Sequence, residues 1–221
     1  MRFIYLKKDN REYIRNPPIW SPSYLFLKNL SKEIKKISQQ IKGTDLKLLD
    51  IGCGEKPYFP FFKDIVKEYI GLDVQKGKFV DVVGKAEELP FSPECFDIIL
   101  CTQVLHHVDN PVATIKEIYR CLKKGGIALV STHGIWSSDG GKWHFTKAGL
   151  QILFKDFTKV SIIPNCFSFG SLFVLINLYL YKLLKIPPYP FYLLNNFLGM
   201  IFDTLIKNEI FVVNYTVLAT K

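Results

Sequence analysis

No two of the five cysteines stand at CxxC spacing, and their number is odd. Cys53, Cys95, Cys101, Cys121 and Cys166 are instead dispersed along the chain, which argues against a disulfide framework and against a zinc site. A reducing compartment and no bound metal are the expectation. The opening stretch MRFIYLKKDNREYIR lacks the apolar run of a secretory signal because charges return almost every other residue, and a cytoplasmic location follows as the expectation. Also missing is any recognisable nucleic-acid-binding motif to accompany the net charge of +9. The lysines are scattered, with modest clusters at Lys7 and Lys8, at 32–36, and at Lys123 and Lys124, and helix solvation accounts for most of them. Nucleic acid is therefore not expected as a partner, whereas an acidic membrane surface or a phosphorylated substrate remains compatible with the charge.

What is present is a folding chain. Of the 221 residues, 48% are hydrophobic, 14% aromatic and 22% charged, enough for one well-buried core and too few for two full enzyme domains. Ser21-Pro22-Ser23 resembles an N-cap followed by proline at the first helical position. Tyr24, Leu27, Leu30, Ile34, Ile37 and Ile41 then recur at helical spacing, with Lys28, Lys32, Lys35 and Lys36 on other faces and Gly43 as the stop. From Leu46 short apolar runs alternate with helix-like stretches, the pattern of a parallel sheet with crossover helices. Strands are expected at 46–51, 69–74, 81–83, 96–102 and 127–132, with a helix from Asn110-Pro111 to Lys124 halted by Gly125-Gly126. A further helix at 146–157, a strand at 160–163 and a final strand at 210–220 complete the pattern, the last two as an antiparallel pair. Between them, 166–206 is a long apolar stretch carrying Pro187, Pro188 and Pro190 that a minimal α/β domain does not need.

Asp50-Ile51-Gly52-Cys53-Gly54 closes the first strand, and its two glycines permit close backbone approach to a ligand. Roughly 20 residues further on, Asp73 ends the second strand, where a carboxylate can accept hydrogen bonds from both ribose hydroxyls of an adenosine group. A dinucleotide site favours a third glycine at G-x-G-x-x-G, but Pro57 stands there, which weakens a nicotinamide reading.

Through LLDIGCGEKPY, YIGLDV, GKAEELPFSPECFDIILCTQVLHHVDNP and LKKGGIALVST, in that order over 46–132, the sequence resembles the class I S-adenosylmethionine-dependent methyltransferases of the type 11 domain family. The resemblance implies a Rossmann-like sheet of seven strands, five parallel plus a C-terminal antiparallel pair, and S-adenosyl-L-methionine as cofactor. It places Gly52, Cys53 and Gly54 at the methionine end of the cofactor, Asp50 behind the loop and Asp73 on the ribose. The family often has an acidic residue before alanine at the adenine, whereas this chain has Lys85-Ala86; Ala86 can offer its backbone, and Glu87 is a candidate substitute beside an equally good surface role. Thr102 and Gln103 are implied to line the pocket near the methyl donor.

His106 and His107 follow directly and are candidate bases for a hydroxyl acceptor, as is His144; capping or packing is the plainer role for each of His106 and His107. His133, after the fifth strand, is a further candidate. Residues 141–146, GKWHFT, resemble a DYWRFT-like segment of part of the family, with His144 where arginine is usual and Trp143 as a candidate pocket wall.

The stretches 160–181 and 186–202 hold no charged residue, yet Pro164, Asn165, the prolines and paired asparagines interrupt them, so spanning helices are not expected. An acceptor lid and a peripheral membrane contact flanked by Lys182, Lys185 and Lys207 are both compatible with this segment. The sequence thus describes a single domain: an N-terminal arm and helix (1–45), a cofactor-binding core (46–163), an apolar insertion (164–209) and a last strand (210–221). O-methylation of a sugar, lipid-linked glycan or other small metabolite is the expected activity. A quinone-like acceptor and a non-catalytic membrane-peripheral binding protein are the alternatives.

Overall fold

The computed structural model describes residues 10–136, 141–184 and 189–221. Lys7, Lys8, Lys185, Pro187 and Pro188 lie outside the described residues. A seven-stranded sheet has the order β3-β2-β1-β4-β5-β7-β6, from β1 (Leu46–Ile51), β2 (Val66–Asp73), β3 (Val82–Val83), β4 (Phe96–Thr102), β5 (Leu122–His133), β6 (Lys159–Pro164) and β7 (Asn214–Thr220). Strands β1 to β5 are mutually parallel, and β7 runs antiparallel to both β5 and β6. The expected sheet is present.

Alternation along the central strands divides the core in two. Leu49, Ile51, Ile99, Cys101, Ala128 and Val130 face one side, where α4 (Pro111–Cys121) and α5 (Lys147–Leu153) cover the sheet. Leu48, Ile98, Leu100 and Leu129 face the other; there the cover is α1 (Asn10–Arg15), α2 (Tyr24–Gln40), the short α3 (Phe59–Phe62) and α6 (Ser168–Leu184). A buried strand presents successive side chains to opposite faces, so a continuous apolar run feeds both layers at once.

Several boundaries differ from the sequence expectation for local reasons. The helix after Asn110 ends at Cys121, not Lys124, because Leu122 already pairs with Phe96 in the sheet; Gly125, at φ +76°, sits inside β5 beside a register irregularity. Helix α2 starts two residues later than Pro22, because the Ser21 hydroxyl is occupied by the Ser23 N–H at 3.2 Å and the Tyr13 hydroxyl. It also stops at Gln40, before Gly43. Thr146 is the N-cap of α5, accepting from the Gly149 N–H at 3.1 Å, and that helix ends at Leu153, not Phe157. The last strand begins at Asn214, since 210–213 make no ladder bonds with β5 or β6.

The apolar insertion is a helical hairpin of α6 and α7 (Tyr189–Leu205). Its seam is polar: Asn177 donates to Asn196 Oδ1 at 3.0 Å, and Asn195 donates back to Asn177 Oδ1 at 2.9 Å. The Asn196 amide also donates to the carbonyls of Ile19 and Ser21, at 2.6 and 2.8 Å, tying the hairpin to the start of α2. Among the described residues, no helix is long and apolar enough to cross a membrane.

Candidate cofactor and acceptor site

The end of β1 turns sharply through Gly52 and Gly54, both at positive φ. Gly52 and Cys53 donate their N–H groups to the Leu72 carbonyl, at 2.7 and 3.1 Å, so the loop hangs on the end of β2. At Gly52 a β-carbon would lie 2.1 Å from Val104 Cγ2; at Gly54 it would meet nothing within 4 Å. The first glycine is therefore needed for packing, and the second leaves open space in front of the loop. Asp73 receives the Gly54 N–H on one oxygen at 3.2 Å and the Gln75 N–H on the other at 3.1 Å. Its carboxylate is half-buried beside the loop, where a ribose hydroxyl could share it.

Below the loop, Asp50 is 2% exposed and accepts from the Tyr69 hydroxyl at 2.7 Å. Burial pushes its pKa up to about 7, against the opposing pull of Tyr69 and Lys56. The same burial, with Asp50 nearby, raises the Cys53 thiol to about 12, so Cys53 offers a ligand its backbone and not a thiolate. Lys56 supports the loop from beneath, reaching Asp81 at 2.5 Å and the Tyr69 carbonyl at 3.3 Å, while Asp81 accepts from the Gly71 N–H at 2.7 Å.

The raised Asp50 pKa carries a stability prediction. The folded state retains this proton above the unfolded-state value near 3.9, so the proton-linked stability is complete below about pH 4 and lost as pH rises through 7. A span of about three pH units corresponds to roughly 4 kcal/mol. Asp50→Asn should therefore become more stable relative to wild type between pH 5 and pH 8, measured by urea unfolding at each pH. A constant difference across that range would contradict the buried, proton-holding carboxylate.

In front of the loop lies a cavity of about 330 Å3. Gly52, Cys53, Gly54, Thr102 and Gln103 form one side; Ile14, Ser23, Phe26, Leu27 and Tyr58 form another; His106, His107, His133 and Trp136 close it. His133 stacks on Trp136 at 4.1 Å and 6° and on His106 at 3.9 Å, while His107 leans on His106 at 4.1 Å. Burial lowers His106 to about 2 and His133 to about 3, and lowers His107 as well. These three imidazoles are neutral at pH 7, and the His133 Nδ1 has no hydrogen-bond partner among the described residues.

The structure brings Gly52, Cys53, Gly54, Thr102, Gln103, His106 and His107 to one cavity, with Asp73 bonded to the loop and Asp50 buried behind it, held by the Tyr69 hydroxyl. Gln103, at φ +59°, commits its amide N–H groups to Ser131 Oγ and Asn214 Oδ1, at 3.0 and 2.8 Å. Its side-chain donors are thereby turned toward β5 and β7. Ala86 is buried in the core against β2. Glu87 accepts the Asp109 N–H at 2.7 Å and the Asn110 N–H at 3.4 Å, which is a loop-holding role at the start of α4. His144 is exposed, does not line the cavity, and places Nδ1 3.1 Å from the Gly134 carbonyl. Trp143 is likewise outside the lining, its indole N–H bonded to the Val108 carbonyl at 2.9 Å.

No described residue of the insertion lines the cavity. Helix α2 stands between: Phe26 and Leu27 face the cavity, while neighbouring Leu25 lies against Gly199 of α7. Phe26, Tyr58 and Trp136 were not singled out from the sequence, because only tertiary packing sets them around the histidines. Among the described residues, no group of three or more His, Cys, Asp or Glu could hold a metal ion.

Residues 49–130 match the family described as "Methyltransferase domain". An uncharacterized methyltransferase of Bacillus subtilis is 33% identical over 103 residues, covering 39% of this chain and 40% of that protein. An uncharacterized protein of Methanocaldococcus jannaschii is 34% identical over 130 residues, covering 56% and 61%. The chain spans about 40–61% of the length of such curated relatives. Phosphoethanolamine N-methyltransferase 2 of Haemonchus contortus, solved in complex with S-adenosyl-L-methionine, superimposes with a TM-score of 0.58 at 16% identity, covering 97% of this chain and 60% of that one. In this chain the open space in front of Gly54 and the half-buried carboxylate of Asp73 lie side by side at the ends of β1 and β2. Residues 49–130 thus match a methyltransferase domain, and the described residues have the Rossmann-like, seven-stranded fold of the class I S-adenosylmethionine-dependent methyltransferases.

Proposed function

We propose that this chain is an S-adenosylmethionine-dependent methyltransferase acting on a hydroxyl of a small uncharged acceptor, a sugar or lipid-linked glycan. The observation that carries it is the shared cavity. An open glycine loop beside Asp73 faces a wall of neutral imidazoles and aromatic rings. When bound, the cofactor supplies a methyl group already activated by its sulfonium, so the protein's task is chiefly to align the acceptor. Gly52, Cys53 and Gly54 present backbone to one end of the cofactor, and Asp73 accepts from its ribose. Phe26, Tyr58 and Trp136 exclude water and offer apolar surface to an acceptor. Among the described residues no lysine or arginine lines the cavity to select a phosphate or carboxylate, and the one carboxylate there, Glu55, is exposed.

A hydroxyl acceptor needs a base. His107 lines the cavity, is the most exposed of its three histidines, and stays neutral at pH 7, so its imidazole can take the hydroxyl proton. His106, far less basic and 1% exposed, serves as wall. His107→Gln should lower methyl transfer by roughly 10²- to 10⁴-fold without weakening cofactor binding. The acid limb of the wild-type pH profile should fall below the ordinary histidine range. The assay is transfer of labelled methyl to a panel of free sugars, lipid-linked sugars and quinols. An unchanged kcat in His107→Gln would contradict the role of His107, and transfer to quinols alone would contradict the sugar acceptor.

A further inference from the structure

Helices α6 and α7 have an inverted amphipathic pattern. Ser168, Gly170, Ser171, Val174, Asn177 and Leu178 of α6 are buried, as are Tyr192, Asn195, Asn196 and Gly199 of α7. The polar and small side chains thus point inward, where the asparagines bond one another across the seam. The outward face is apolar. Tyr179 is 65% exposed, Leu194 54%, Phe197 53% and Leu205 72%, and Leu183, Phe191 and Ile201 are exposed beside them. A water-facing helix ordinarily carries charge on that side, and exposed apolar surface of this extent marks an interaction site.

Three observations say what covers it. The sole carboxylate of the two helices, Asp203, is turned in, accepting the Phe167 and Gly170 N–H groups at 2.9 and 2.6 Å. Charge at the margins is positive: Lys28, whose ammonium lies 3.5 Å from Met200 Sδ, with Lys182 at the end of α6 and Lys207 just beyond α7. Trp20, 51% exposed, is fixed beside α7 because Asn196 grips the carbonyls on either side of it. An apolar helical face rimmed by cations, with Trp and Tyr at its edge, matches the water–lipid boundary of an anionic bilayer. Each helix has 17 described residues, and neither is long and apolar enough to cross a membrane.

We infer that the α6–α7 hairpin and Trp20 dock this protein on an anionic lipid surface, lying in the interface. A second copy would bring the same cationic rim against itself, which favours lipid over self-association. The inference stands apart from the methyl-transfer reading, since no described hairpin residue lines the cavity.

The test uses the whole chain with phosphatidylcholine vesicles and with vesicles containing phosphatidylglycerol. Sedimentation should show binding to the second kind, weakened by added salt. Phe197→Ser with Ile201→Ser should reduce binding at least about ten-fold, because apolar burial drives insertion. Trp20 emission, taken as the difference from Trp20→Phe, should shift blue on binding. Retained S-adenosylmethionine binding and an unchanged circular dichroism spectrum would establish that the double variant folds. Failure of the folded wild type to bind anionic vesicles would overturn the proposal, as would a wild-type dimer in sedimentation velocity that the double variant abolishes and vesicles do not compete with. Absence of cofactor binding by the folded wild type, with vesicle binding intact, would count against the methyltransferase reading and leave the lipid result standing.

Discussion

Asp73→Ala should bind S-adenosylmethionine at least about 10²-fold more weakly than wild type while keeping its fold. Hydrogen bonds to a charged acceptor contribute roughly 1.5–3 kcal/mol each, and two ribose hydroxyls would be lost together. The carboxylate also receives the Gly54 and Gln75 N–H groups, so the alanine variant loosens the loop as well. Asp73→Asn separates the two effects: it keeps one acceptor oxygen but loses the charge, and should fall between alanine and wild type. Equilibrium dialysis with labelled cofactor measures all three. Equal affinity in Asp73→Ala and wild type would remove Asp73 from the site.

The second large effect is expected at the loop's first glycine. Gly52→Ala forces a β-carbon to within 2.1 Å of Val104 Cγ2 at a residue with φ +66°. Left-handed backbone costs an ordinary residue about 1–2 kcal/mol, and overpacking adds about 1–3 kcal/mol. Thermal unfolding should therefore move down by roughly 5–15 °C in a chain of this size. Gly54→Ala is the contrast, because its β-carbon meets nothing within 4 Å and only its φ of +48° opposes it. That variant should melt only roughly 2–8 °C below wild type, the backbone cost alone, yet bind cofactor poorly, since its methyl group enters the space in front of the loop. A Gly54→Ala protein with full affinity would mean that the ligand does not approach there.

Local patterning made much of the sheet legible. The strands at Leu46–Ile51 and Phe96–Thr102 fall where the apolar runs begin and end, because each is buried on both faces and bounded by turn residues. Gly125 misled for a physical reason: glycine after a helical pattern usually stops the helix, but here it shapes an irregularity in a strand already begun at Leu122. The glycine loop and Asp73 were legible because their chemistry is local to two strand ends. The cavity's far wall was not, since Phe26, Tyr58 and Trp136 come from three distant segments. Asn195 and Asn196 looked like interruptions of an apolar stretch, and Asn177 was not singled out. They are its internal ladder, and only the antiparallel pairing of α6 and α7 shows it.

Calorimetric titration of the folded wild-type chain with S-adenosylmethionine, its demethylated product and NAD tests the central claim most directly. Saturable binding of the first two at one site, with no heat from NAD, is the predicted result. Absence of binding by a protein that unfolds cooperatively would contradict it and favour a membrane-peripheral binding protein on a methyltransferase fold; preference for NAD would contradict it in favour of a dinucleotide site.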